Sequence, residues 1–316
     1  MNIYLAPLEG ITGNVFRTGL HNHFGGVDKF FTPFIAPNAK GVLNHKALRD
    51  ILPENNQGQR LVPQILTNDA DGFLLMCRTL EGYGYKEINL NLGCPSATVV
   101  SKGRGSGFLA YPDKLDSFLD KIFNSHYEIS IKTRIGKESA AEFDRILDIY
   151  NKYPLKELII HPRTREDMYG NTPDWEAFSY AVKNSRAKLC YNGDIFQMED
   201  FIRFKNTFPE VESVMIGRGA LINPCLCAWI KGEGEPQKEE IKAFFKEILC
   251  QYQKILFGER PVLFKMKELA IYMEKGFDNT EKIVKKIKKA KSLEELEVAV
   301  DALFSEYPPK SGKISI

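Results

Sequence analysis

From the N-terminus to about residue 230, short apolar runs with strand-like alternation take turns with stretches whose apolar positions recur every three or four residues. The strand-like runs are residues 3–6, 29–34, 61–66, 87–92, 129–134, 158–161, 189–191 and 213–216. Helical patterns fall between them, near 15–24, 45–51, 69–82, 112–123, 140–150, 175–183, 198–207 and 224–230. Strict alternation predicts a parallel sheet, and eight β/α steps predict its closure into a TIM (β/α)8 barrel. The rival is a doubly wound open sheet. It would carry G-x-G-x-x-G after its first strand, and GITGNV at 10–15 does not supply that pattern.

Residues 231–240, KGEGEPQKEE, read as a polar linker. Beyond them the pattern is helical throughout, with breaks at Gly258 and Pro261 and further helices at 263–275, 280–289 and 293–304. Thr280 and Ser292 are the expected N-caps, the latter within the capping-box sequence SLEE. The expected organisation is a barrel over 1–230, the linker, a small all-helical domain over 241–308 and a polar tail over 309–316.

Composition narrows the partners. The hydrophobic share of 43% suffices for a large core, and a formal charge of +2 means that any surface for nucleic acid must be local. The six cysteines, Cys77, Cys94, Cys190, Cys225, Cys227 and Cys250, form no CxxC pair, so no metal is expected. No signal-like leader and no apolar run of ~20 residues is present, which leads us to expect a cytoplasmic, monomeric enzyme without membrane contact.

A barrel collects its chemistry at the C-terminal ends of its strands. Those ends carry Pro7, Leu8, Glu9 and Gly10 after the first strand, Gln64 in the third, and Asn91 and Cys94 at the fourth. Lys132 and Arg134 end the fifth, His161, Arg163 and Thr164 follow the sixth, Asn192, Gly193 and Asp194 the seventh, and Gly217, Arg218 and Gly219 the eighth. Each has a bland alternative. Gln64 could cap a bulge, Lys132 could pair with Asp194, and Gly193 and Gly217 could merely close tight turns. Taken together, the glycine turns and Arg218 after the last two strands point to a phosphate-bearing cofactor. Gln64 and Lys132 can supply donors to its ring.

The chain is most distinctive over 87–109, EINLNLGCPSATVVSKGRGSGFL. A strand ends at Gly93-Cys94-Pro95, and a glycine-rich, basic and mobile loop follows, with Lys102 and Arg104 between its glycines. With APLEG, NLNLGCPS, KGRGSG, IKTR, HPRT, YNGDI and MIGRGA in order, the sequence resembles the tRNA-dihydrouridine synthases, flavin enzymes that reduce uracil in tRNA. The resemblance implies FMN as cofactor and NADPH as reductant. It implies that Pro7, Leu8, Glu9, Gln64, Lys132, His161, Asn192, Gly193, Asp194, Gly217 and Arg218 contact FMN, and that Asn91 faces the uracil. Cys94 becomes the acid that protonates C5 while hydride reaches C6. Two positions depart from the family pattern: Leu8 stands where Met is usual, and Gly107 stands where Ala is usual, which is expected to loosen the loop. The alternatives are an FMN barrel of the dihydroorotate dehydrogenase kind, and a non-catalytic tRNA-binding barrel.

In the helical segment Lys282, Lys285, Lys286 and Lys289 fall on one helix face, opposite Ile283 and Ile287. Lys265 and Lys267 form a second basic cluster after Arg260. Either these are solvated faces, or, with Lys102 and Arg163, they contact tRNA.

Overall fold

The computed structural model describes residues 1–234 and 237–314. Glu235 and Pro236 of the expected linker, and Ser315 and Ile316 of the expected tail, lie outside the described residues. Nine stretches of strand form one parallel sheet: β1 (Asn2–Leu5), β2 (Lys29–Phe31), β3 (Leu61–Val62), β4 (Gln64–Ile65), β5 (Glu87–Leu92), β6 (Glu128–Gly136), β7 (Leu158–Thr164), β8 (Leu189–Tyr191) and β9 (Ser213–Ile216). Their order is β3-β2-β1-β9-β8-β7-β6-β5-β4.

The two ends of that order are one strand. Pro63 has no N–H to give to a ladder, so the strand expected over 61–66 is split there. Its first half pairs with β2 and its second with β5, which closes the ring. The Pro63 carbonyl still accepts the Asn89 N–H at 2.9 Å. The barrel thus has eight strands, one of them interrupted. β6 and β7 run further than expected, so His161, Arg163 and Thr164 lie on β7 rather than after it.

Around the ring run α1 (Asn14–His23), α2 (His45–Ile51), α3 (Ala70–Glu81), α4 (Ala97–Val100), α5 (Pro112–Phe123), α6 (Phe143–Tyr150), α7 (Trp175–Asn184), α8 (Met198–Thr207), α9 (Arg218–Ile222) and α10 (Leu226–Ile230). Periodicity explains their seating: α5 buries Leu115, Phe118, Leu119 and Ile122, an i, i+3, i+4, i+7 stripe. Side-chain caps start several of them. Asn44, Asp69 and Asp174 accept N–H groups of the first turns of α2, α3 and α7.

Inside the barrel, the N-terminal end is closed by a charged plug. The Lys29 ammonium lies 3.1 Å from Glu87 and 3.0 Å from Glu157, and the Tyr4 hydroxyl donates to Glu157 at 2.8 Å. Above it Tyr4, Ala6, Phe31, Val62, Ile159, Cys190 and Met215 fill an apolar layer. The strands on the other side present polar groups instead: Gln64, Asn89, Ser130 and Lys132, brought side by side by the register of β4, β5 and β6.

Four further helices follow: α11 (Lys238–Ile255), α12 (Glu259–Met273), α13 (Glu281–Lys289) and α14 (Leu293–Glu306). Local expectations change, the first being that residues 238–240 of the expected linker belong to α11. Pro261, expected as a break, sits in the first turn of α12, where its missing N–H would have had no partner. Thr280 does not cap α13; its hydroxyl donates to Glu274 at 2.7 Å. The tail is not free. The Lys310 N–H bonds to Gly276, Ser311 bonds Asp278 through both N–H and hydroxyl, and Ile314 is buried with Phe196 and Ile222. Ser292 does cap α14, accepting the Glu295 N–H at 3.2 Å. No helix among the described residues is long and apolar enough to cross a membrane.

The helical segment is docked on the barrel through α11, whose Phe244 meets Phe16 and Phe24 with ring centres 5.7 and 5.3 Å apart. Ile248 of the same helix packs so closely on α1 that a Cβ at Gly19 would come within 2.5 Å of it. Ile248→Ala is therefore expected to cost about 2–5 kcal/mol and to lower one cooperative melting transition, followed by circular dichroism at 222 nm. Two separated transitions, with only one shifted, would show instead that barrel and helices unfold independently.

Candidate active site

A cavity of about 580 Å³ opens at the C-terminal mouth of the barrel, within the ~300–1,000 Å³ typical of small-molecule sites. Pro7, Leu8, Glu9, Asn91, Cys94, Lys132, His161, Asn192, Gly193, Asp194, Gly217 and Arg218 all line it. Twelve of the expected residues, from six strand ends, thus share one space. Gly193 is required by a close approach: any Cβ there would fall 2.0 Å from the Tyr191 hydroxyl.

Cys94 is held by its neighbours' backbones. The Asn91 side-chain oxygen accepts the N–H of Gly93 at 3.0 Å and of Cys94 at 2.9 Å. The Asn91 amide donates to Gln64 Oε1 at 2.7 Å, Gln64 Nε2 donates to Asn89 at 2.8 Å, and Asn89 donates to the Ser130 hydroxyl at 3.0 Å. Gln64, expected on the cofactor, is 1% exposed and spends both ends of its amide inside this chain. Through its Oε1 it supports Asn91. On the other side of Cys94, its carbonyl accepts the Ser106 N–H and hydroxyl at 3.1 and 2.8 Å.

The loop expected to be mobile is packed. It folds into α4 and a 3₁₀ turn at Gly105–Ala110, burying residues 105–109. Gly107 does not loosen it, because a Cβ there would meet the Val100 backbone at 2.8 Å. Glycine lets the turn close on α4. Lys102 stays exposed at the bend, with its carbonyl taking the Asn68 amide at 3.0 Å.

Burial pushes the Cys94 thiol above its ordinary value, while the Ser96 N–H, Arg134 and Lys132 pull the other way. The group is a thiol at neutral pH. Burial, then the neighbouring Arg134 cation, brings the Lys132 ammonium down to about 8. His161 is held neutral: burial and the cations of Arg134, Lys132, Arg163 and Arg218 drive its pKa well below the usual range. Its Nε2 lies 3.0 Å from Arg163 Nη1, which can only donate, so the ring proton sits on Nδ1.

Arg163 is not presented to a substrate. It is 2% exposed and already spends its donors on Asp194, at 2.9 and 2.5 Å, on the carbonyls of Gly170 and Asn171, and on His161. Asp194 also accepts Arg218 Nη2 at 2.7 Å, so one carboxylate orients two arginines. The lysines outside the cavity divide. Lys265 donates to the Gly10 carbonyl, latching α12 to the loop after β1. Lys267 donates to the Lys288 carbonyl at 3.0 Å, at the end of α13. Lys282, Lys285, Lys286 and Lys289 are exposed together on one face.

The cavity also takes in Arg134, named in the sequence only as a strand-end cation without a role, and polar residues that carry no signal in the sequence, among them Tyr169, Glu268 and Tyr272. Arg134 ties three segments together through the carbonyls of Gly93, Thr164 and Met168, at 3.0, 2.6 and 2.7 Å. Tyr169 lies over Arg218, ring centre 4.7 Å from the guanidinium carbon, in a loop where Met168 and Asn171 have φ of 51° and 46°. Glu268 and Tyr272 come from α12, so a helix after the barrel supplies one wall. Among the described residues no group of three or more His, Cys, Asp or Glu could hold a metal.

Comparison with known proteins gives concordant matches. The family model described as Dihydrouridine synthase (Dus) matches residues 4–306. A "Probable tRNA-dihydrouridine synthase" of Staphylococcus epidermidis is 29% identical over 259 residues, covering 79% of this chain and 77% of that protein. A "tRNA-dihydrouridine(16) synthase" of Neisseria meningitidis is 25% identical and covers 96% of this chain and 95% of that protein. Among solved structures, the old yellow enzyme homologue from Zymomonas mobilis is similar in fold, with a TM-score of 0.53 at 9% identity over 77% of this chain and 92% of that one.

Two measurements check this geometry. Because folding lowers the pKa of Lys132 from ~10.4 to about 8, the unfolded chain holds the proton in that window and the folded chain has lost it. The burden of the buried charge is full below pH 8 and fades as pH rises, so ligand-free wild type should gain stability relative to Lys132→Met between pH 7 and pH 10. A melting-temperature difference that does not move with pH would contradict the shift. Gly107→Ala should be destabilising by about 1–3 kcal/mol through overpacking against Val100, read as a lowered melting temperature.

Proposed function

The chain belongs to the dihydrouridine synthase family, and from that premise we propose that it reduces uridines in tRNA to 5,6-dihydrouridine. The observation that carries the reading is a protonated cysteine, fixed by Asn91, in one cavity with Lys132, His161 and two glycine turns. The donor set fits FMN. Gly193, Gly217 and Arg218 would take its phosphate end, Lys132 its ring, and Pro7, Leu8 and Glu9 would wall it from β1. When bound and reduced by NADPH, that group supplies the hydride that reaches C6 of the uracil.

The chain's own residues supply the rest. Cys94 gives its proton to C5, so that the S–H bond breaks as the C5–H bond forms, and hydride plus proton saturate the double bond. The resulting thiolate is met by the Ser96 N–H and by the charges of Arg134 and Lys132. A raised thiol pKa suits this role, since the reaction consumes the proton rather than needing a thiolate nucleophile. Neutral His161 can donate from Nδ1 without adding a further charge to a cationic cavity. The remaining amide hydrogen of Asn91 is what that residue could offer the base, because its oxygen is fully used. The uridine must leave its stack to reach the barrel mouth. The lysine face of α13 would meet phosphates without reading bases.

The test separates the two half-reactions. Cys94→Ala should keep its flavin and be bleached by NADPH at close to the wild-type rate. Mixed anaerobically with tRNA, the reduced variant should reoxidise ~10²–10⁴-fold more slowly than wild type. Reoxidation at the wild-type rate would remove Cys94 as the acid, and wild-type protein that neither binds flavin nor forms dihydrouridine would end the proposal.

A further inference from the structure

We propose that α12 carries an aromatic track for the unpaired nucleotides flanking the target uridine, an inference that rests on the reading of the site as a tRNA-uridine reductase. Arg260, Phe264, Glu268 and Tyr272 follow one another at four-residue steps, so they form a row along the helix with a rise of about 6 Å per step. The inner end of the row, Glu268 and Tyr272, lines the cavity. The outer end leaves it: Phe264 is 57% exposed, with the Arg260 guanidinium carbon 5.6 Å from its ring centre. Just before the helix, Phe257 is fully exposed on the turn made by Gly258, whose φ is 81°.

Packing does not account for these aromatics. α12 buries Val262, Leu263, Met266, Leu269, Ala270 and Met273, and neither Phe257 nor Phe264 belongs to that stripe. Their surroundings indicate the partner. The basic end of α13 is tied to α12 by the Lys267–Lys288 bond, and Glu259 accepts the Leu293 N–H at 2.6 Å at the start of α14. Two rings of one helix, Phe264 and Tyr272, with Phe257 before it, on a helix tied to the lysine-bearing α13, suit a single-stranded nucleic acid, whose phosphates meet the charge and whose bases meet the rings. An apolar protein or lipid partner would call for a continuous apolar face, and Arg260 and Glu268 interrupt this one. A uridine drawn into the cavity leaves its neighbours without stacking partners at the rim, where Phe264 stands next in the row.

The experiment uses flavin-loaded protein and a tRNA transcript carrying 2-aminopurine beside the modified uridine, located first by sequencing for dihydrouridine. Wild type should alter the fluorescence on binding. Phe264→Ala should lose that signal and bind about 10-fold more weakly, the double change with Phe257→Ala more weakly still, and Phe264→Trp should restore both. The slope of log affinity against log salt should not change, because no phosphate contact is removed. Reduction by NADPH should also be unaffected. Unchanged signal and affinity in the double variant, with tRNA still reduced, would overturn the track and leave the activity standing. A flattened salt slope would overturn it too, by assigning the loss to charge. Wild-type protein that neither binds nor reduces tRNA would remove the track together with the reading it rests on.

Discussion

The side-chain oxygen of Asn91, accepting two successive backbone N–H groups, is the bond on which the cavity depends. Without it the N–H groups of Gly93 and Cys94 would be partly buried with no partner, at about 1–3 kcal/mol for each such loss. The bond is aimed by a relay: Ser130 receives from Asn89, Asn89 from Gln64 and Gln64 from Asn91. All four side chains are buried, and each step leaves the next amide one orientation. The relay crosses β4, β5 and β6, so the register of three strands is transmitted to a single thiol.

A second set of ties handles charge. Arg134 and Arg163 are almost completely buried, yet both spend their donors on carbonyls and, for Arg163, on Asp194. Those carbonyls include Met168 and Asn171, the two non-glycine residues of the β7 loop with positive φ. A left-handed conformation is costly for such side chains. The arginines hold the loop in it, and so hold Tyr169 over Arg218. They act on the cavity through backbone, and Arg134 also lines its wall together with Lys132 and Arg218.

Much of this was legible in the sequence because barrels have a rule. Alternation fixed the strand count, and strand ends fixed where Cys94, Lys132, His161, Asn192 and Gly217 would meet. What stayed hidden depends on partners distant in the chain. Gln64 stands out in the sequence as a polar residue in an apolar run, and its partners Asn89 and Asn91 appear only with the register. Arg163 reads as a substrate cation until Asp194, on another strand end, consumes it. Glu268 and Tyr272 carry no local motif at all. Only the docking of α12 brings them to the mouth. The tail looks polar and free by composition, yet Lys310 and Ser311 bond Gly276 and Asp278, and Ile314 is buried beside Phe196 and Ile222.

Closure of the ring also orders events on the ribosome. β1 pairs on one side with β9, Asn2 to Leu5 against Ser213 to Ile216. β1 therefore keeps an open edge until more than two hundred residues after it have been made, and the Pro7–Gly10 segment it carries stays unbraced as long. Such a separation is among the slowest contacts a nascent chain can form, and an open parallel edge is an aggregation hazard while it waits. The final brace, Lys265 on the Gly10 carbonyl, comes later still. A chain released early would have a cysteine loop with its local bonds in place and no finished cavity around it, so a truncated product would be exposed to misassembly before it could bind a cofactor.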